Sequence, residues 1–227
     1  DYTYTGNSYA KYDSNGDWKI YFLTSGTLTF NKENYNIDAF LVGGGSSLGG
    51  SGYTTTQKNI SVTAKTSYSI VVGAGGTPGN DGSASKAFNV TANPGSGLNG
   101  GSGGGAPGYT GIGCTGGTDG SNGTKCTNIN AGVGQGTTTR EFGESSGTLY
   151  AGGGGGGGGF CGGCATVFPA GGKGGERGAG NGGGGTGNND PSCTDAEANT
   201  GSGAGTGNRG EGKCTGGSGI VVIRNHR

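Results

Sequence analysis

Tyr150-Ala151-Gly152-Gly153-Gly154-Gly155-Gly156-Gly157-Gly158-Gly159-Phe160-Cys161 is the stretch that decides the fold. Eight consecutive glycines admit two readings. One is a flexible linker, because glycine has the largest backbone freedom. The other is close backbone packing, because only glycine lets two main chains approach with no Cβ between them. The chain holds 63 glycines in 227 residues, several-fold above ordinary usage, so this choice governs most of it.

Spacing favours packing. Glycine recurs at every third position in Gly73, Gly76, Gly79 and Gly82, in Gly97, Gly100 and Gly103, and in Gly105, Gly108 and Gly111. It does so again in Gly117, Gly120 and Gly123, and in Gly172, Gly175 and Gly178. A polyproline-II-type helix has three residues per turn and no internal hydrogen bonds. Glycine at every third residue gives such a helix one bare face, and an all-glycine run makes every face bare. Its N–H and C=O groups then bond to neighbouring helices, supplemented by weak Cα–H···O contacts. The middle of the chain therefore reads as a lattice of packed polyglycine-II helices. Collagen is excluded, since it needs a strict Gly-X-Y register and much proline, and there are five prolines here.

The ends differ in kind. Trp18–Leu23, Thr27–Phe30, Ile37–Val42, Tyr68–Val72, Ala87–Ala92 and Gly219–Arg224 read as strands, with Ser25-Gly26 a turn, while Tyr53–Val62 alternates only weakly. Two of them run directly into Gly43 and Gly73. The expected architecture is mostly irregular and β. A sandwich of polyglycine-II helices (73–218) stands on a small antiparallel β layer made by 1–72 and 219–227, with essentially no α-helix.

Composition bounds the function. The hydrophobic share of 28% is too small for an ordinary side-chain core. Fourteen basic residues balance fourteen acidic ones, which points to no nucleic-acid or anionic-membrane partner. No apolar run reaches the length of a membrane span. The only histidine is His226, so no catalytic Ser-His or Cys-His arrangement is expected elsewhere, and neither catalysis nor a cofactor is expected. Glu141 and Glu144 read as a solvated strand face rather than a catalytic pair.

Six cysteines, Cys114, Cys126, Cys161, Cys164, Cys193 and Cys214, all lie in the glycine-rich part. The Cys161–Cys164 spacing fits a zinc half-site whose other half is missing, so no metal is expected. An even count argues for disulfides. Residues three apart in a polyproline-II-type helix are displaced by about 9 Å, beyond the roughly 7 Å reach of a disulfide. Loop entropy favours separate bridges from Cys161 and Cys164 to the other four; a turn at Gly162-Gly163 would instead permit a local bond. Three segments interrupt the glycine: 109–130, 160–169 and 188–199. Loops on a rigid scaffold are where recognition sits. Tyr109, Phe160 and Phe168 offer aromatic faces, and Asp190, Asp195 and Glu197 offer carboxylates for sugar hydroxyls.

Trp18–Phe30, Asp38–Gly45, Tyr68–Gly76, Gly134–Glu144 with Leu149–Ala151, and Gly216–Arg224 together resemble the glycine-rich domain of bacteriophage and prophage tail proteins. The resemblance implies a non-enzymatic tail-fibre adhesin, carried extracellularly on the virion tail. Its partners would be a bacterial surface glycan or outer-surface protein and other tail proteins, with homo-oligomers such as trimers among the expected states. It is also similar to polyglycine-II sandwiches in a phage adhesin, in the anaplastic lymphoma kinase receptor family and in snow flea antifreeze protein, which speaks to fold and not to function. The six cysteines depart from the family pattern. Other readings are a purely structural tail or surface-fibre component and an ice-binding or other glycine-rich surface protein; no regular threonine period is visible for ice binding.

Overall fold

The structure, a computed structural model, describes residues 1–108, 112–126, 129–159, 171–178, 193–207 and 211–225. Its strands are β1 (Tyr2–Tyr4), β2 (Ser8–Tyr12), β3 (Trp18–Phe22), β4 (Gly26–Phe30), β5 (Tyr35–Val42), β6 (Thr54–Val62), β7 (Ser67–Val71), β8 (Ser85–Ala87), β9 (Val90–Ala92) and β10 (Ile220–Asn225). Among the described residues the helical content is a single 3₁₀ turn, Glu141–Gly143. The all-β expectation holds. The base, however, is two five-stranded antiparallel sheets rather than one layer, in the orders β1-β4-β7-β8-β9 and β2-β3-β10-β5-β6. The strand expected over Ala87–Ala92 is instead the β8–β9 hairpin, turning at Phe88 and Asn89, which both take positive φ.

The register explains why Ala39–Val42 of β5 and Ile220–Ile223 of β10 are unbroken apolar runs. β10 lies between β3 and β5, with Val221 opposite Phe22 and Leu41. Ile37, Ala39, Leu41, Val221 and Ile223 point into the space between the sheets and meet Leu28, Phe30 and Ile70. The alternate residues Phe40, Val42, Ile220 and Val222 point the other way, where Phe142, Tyr150 and Ala151 cover them. A strand covered on both faces loses the usual alternation of apolar and polar residues. Each large side chain buried here contributes roughly 1.5–3 kcal/mol.

One buried ion pair locks the last strand. Arg224 and Asp38 are 3% and 0% exposed at their side chains, and Arg224 Nε donates to Asp38 Oδ2 at 3.1 Å. Arg224 Nη1 also donates to Glu144 Oε1 at 2.7 Å, and its guanidinium lies 4.1 Å from the Phe142 ring centre. Glu141 is 1% exposed and accepts from Lys19 Nζ at 2.6 Å. Glu141 and Glu144 are thus not a solvated strand face. Each takes a cation from the sheet and fastens the 141–144 turn onto it.

The glycine runs leave the sheets side by side. Gly219 N–H donates to Gly73 O, Gly44 N–H to Ser83 O, and Gly43 N–H to Tyr53 O. Buried Ser85 stitches two exits, accepting from Gly73 N–H at 2.9 Å and donating to Val42 O at 2.6 Å. Farther out, the octaglycine is the hub. Its carbonyls at 152 and 155 accept from the amides of 203 and 206, those at 153 and 156 from 175 and 172, and those at 154 and 157 from 105 and 108. Its amides at 153 and 156 donate to the carbonyls of 117 and 114. Each neighbour is met every third residue, which is the repeat of a three-residue turn.

Two kinds of glycine separate in this region. Gly79, Gly97 and Gly136 take positive φ and have open space where a Cβ would stand. They make turns, so the period-three run through Gly79 is broken by one. None of the octaglycine takes a positive φ. There, glycine answers a need for room: a Cβ on Gly154 would sit 1.8 Å from Ala204 O, and one on Gly155 2.1 Å from Gly172 O. Gly155→Ala should therefore fail to fold or express. Gly136→Ala meets only φ strain, about 1–2 kcal/mol, and should unfold cooperatively in urea slightly below the parent. Equal midpoints for both variants would contradict the packing.

Candidate functional site

The outer ends of several glycine runs converge. Gly108, just before Tyr109, donates its amide to Gly157 O at 2.8 Å. Gly157, three residues before Phe160, donates its own amide to Thr206 Oγ1 at 2.7 Å, and a Cβ on Gly157 would meet Gly207 O. Gly156 N–H donates to Cys114 O, and Gly172 N–H to Gly156 O. The chain positions that flank residues 109–111, 160–170 and 208–210 thus share one end of the scaffold. It is the end away from the sheets, because Ala151 at the inner end of the octaglycine packs on Phe40 and Val42.

The first candidate segment, 109–130, is not a single loop. Residues 112–117 run back toward the sheets against the octaglycine, turn at Asp119-Gly120, and return through 121–126. Gly120 N–H donates to the buried Ser102 Oγ at that inner turn. Cys114 and Cys126 therefore face each other on adjacent runs and are bonded, with Cα atoms 5.8 Å apart. Cys193 and Cys214 are likewise bonded, at 6.1 Å. These pairings overturn the expected bridges from Cys161 and Cys164 to the same four residues, since each of the four already has a partner. The physical reason is the out-and-back path, which returns the chain to its own neighbour. Closing loops of this size contributes about 3 kcal/mol each in the chain-entropy account.

Among the proposed contact residues, Tyr109, Phe160, Phe168 and Asp190 lie outside the described residues, as do Cys161 and Cys164. Asp195 and Glu197 are exposed but do not join the outer end. Asp195 Oδ1 accepts from Thr215 N–H at 2.6 Å, and Glu197 N–H donates to Gly178 O. Two residues beyond Glu197, the Asn199 side chain donates to Leu23 O and Gly219 O, beside the sheets. The third segment thus splits, and its described part 193–199 is a scaffold run that dives toward the base.

Two other carboxylates, which the sequence did not single out, pin turns. Asp81 accepts from Ser46 Oγ, Ser96 Oγ and Gly97 N–H, and so ties three runs together. Asp119 accepts from Thr138 Oγ1, Thr139 N–H and Arg140 Nε. Aspartate beside glycine at a turn (Asp81-Gly82, Asp119-Gly120) was the available signal.

A family profile described as a glycine-rich domain matches residues 23–226. The chain belongs to the glycine-rich domain family. Comparison with curated proteins and with solved structures yields no match.

Asp81 and Asp119 make the glycine-rich domain acid-sensitive. Partial burial works to raise both pKa values, but the hydrogen bonds, and Arg140 at Asp119, outweigh it and hold both below the ordinary value. Between the folded and unfolded pKa values the unfolded chain binds more protons, so stability rises with pH there. The contribution is complete above about pH 5 and is lost as pH falls through the depressed folded values. Urea midpoints should fall across that window, and the Asp81→Asn/Asp119→Asn variant should show a shallower fall. An identical acid limb in the variant would contradict these roles.

Proposed function

We propose that this glycine-rich domain is a non-enzymatic attachment module of a bacteriophage tail fibre, which engages a bacterial surface glycan or outer-surface protein. The observation that carries the reading is the convergence of Gly108, Gly157 and Gly207 at one end of a cross-bonded scaffold. A rigid body that collects several chain segments at one tip, far from the sheets, suits recognition by variable loops. Two disulfides in the same region suit a protein that works outside the cell. The runs themselves are read as polyglycine-II helices, a reading supported by the three-residue repeat of their hydrogen bonds.

In this account the aromatic residues Tyr109, Phe160 and Phe168 make the contact, and the described carboxylates Asp195 and Glu197 contribute to the scaffold. Fluorescently labelled protein should bind a subset of strains in a panel of Gram-negative and Gram-positive cells. The Tyr109→Ala/Phe160→Ala/Phe168→Ala variant should melt with the parent and lose that binding. Unchanged binding by the triple variant would take the contact away from these three residues. Binding to no strain would leave a structural fibre component as the better reading.

A further inference from the structure

A groove of about 570 Å³ lies on the sheets rather than at the tip. It exists because β8 is too short. Ser67 and Ser69 of β7 pair with β4, but on the other side β8 reaches only Ile70 and Val71 before the chain turns at Phe88-Asn89. The gap beside Ser67–Ser69 is closed at the back by Ile60 and Ser61 of β6, from the second sheet. Its volume is within the range of small-molecule sites, about 300–1,000 Å³.

The lining has two textures. Tyr68 and Phe88 give it aromatic surface, their rings 5.4 Å apart, and the Tyr68 ring is fixed because its Oη accepts from Thr63 N–H at 2.7 Å. Ser61, Ser67, Ser69, Asn89 and Thr91 supply hydroxyl and amide groups, all on exposed residues. Lys86 is the one charged residue of the lining, and no carboxylate contributes. None of the salt bridges among the described residues involves Lys86.

Phe88 is held there against its own preference. It takes φ 51, with Asn89 at φ 62. This is a two-residue hairpin turn of the kind that selects glycine or asparagine, and a bulky residue in that region is an outlier. A glycine would close the same turn without strain. What the phenylalanine adds is a ring that packs on the margin of the inter-sheet core beside Tyr68 and forms one wall of the groove. Strained positions of this sort concentrate where a ligand is held.

We propose that this groove binds an acidic saccharide. A sugar's apolar C–H face suits Tyr68 and Phe88 on the core side of the β7 edge, and hydroxyls that reach over this edge suit Ser67, Ser69 and Thr91, which face the opposite side of the sheet. A carboxylate on the sugar complements Lys86 in a lining without acids. A peptide added as a strand to β7 is disfavoured, because β8 leaves only the short Ser67–Ser69 stretch of that side of β7 unpaired. The groove is built by β6, β7 and the β8–β9 hairpin, so it stands or falls separately from the tip.

Trigalacturonic acid, maltotriose and an unrelated extended heptapeptide serve as probes, followed by amide chemical shifts in ¹⁵N-labelled full chain. Trigalacturonic acid should shift amides of residues 67–71 and 86–91. Maltotriose should bind more weakly. Lys86→Met should weaken the acidic sugar by about threefold and leave maltotriose unchanged. Phe88→Gly should keep the dispersed spectrum of a folded chain and lose both sugars. Absence of shifts with either sugar, retained binding in Phe88→Gly, or equal affinity for both sugars would overturn the proposal. Shifts in the same residues from the heptapeptide alone would also overturn it, in favour of strand addition.

Discussion

Main chains that pass too close for a Cβ are the constraint on which this structure rests. At Gly113, Gly116, Gly154 and Gly157 an added Cβ would stand 1.7–1.8 Å from a carbonyl oxygen of another run. All four clashes are with backbone, so no rotamer change relieves them. The gain from this proximity is hydrogen bonding between runs that have none within themselves. The cost is entropy, since ordering glycine loses more freedom than ordering any other residue. The structure offsets it with volume filled by backbone instead of side chains, and with two disulfides that restrict the unfolded chain.

A lattice of bare backbones has little of its own to fix register, because one glycine is like the next. The side chains that do occur supply the register. Ser51 and Ser102 exchange two hydrogen bonds, Ser202 accepts from Gly152 N–H, and Thr206 accepts from Gly157 N–H. The sheets supply the rest. Val42, Val71, Ala92 and Ile220 release or receive the runs at positions set by strand pairing, and Ser85 ties neighbouring exits together. Arg224 then binds the final strand to Asp38 and to the turn that precedes the octaglycine.

Much of the frame was legible in the sequence. The strands β3, β4, β5, β7 and β10 are dense in apolar and aromatic residues, and the octaglycine has no other compact use than close packing. The parts that escaped share a cause, which is that they depend on partners remote in sequence. β1 and β2 are edge strands with exposed alternate residues, so they carry little hydrophobic signal. The hairpin at Phe88-Asn89 uses an aromatic where turn chemistry expects glycine. Glu141 looks like surface until Lys19 is brought to it across the fold. The segment 109–130 looks like a loop because it holds bulkier residues, yet Gly113, Gly116 and Gly123 pack as tightly as the octaglycine. The disulfides followed that same out-and-back path and not the sequence spacing.

Amide hydrogen exchange across the octaglycine tests the central claim most directly. The account predicts that Gly153, Gly154 and Gly156, whose amides bond to Gly117, Gly49 and Cys114, exchange slowly and together, with a rate that tracks global unfolding. Slow exchange should extend to Gly105, Gly108 and Gly172, which bond to the octaglycine from outside. Fast exchange at these glycines in a chain whose β5 and β10 amides are protected would mean that the glycine is linker, and the packed scaffold would be contradicted.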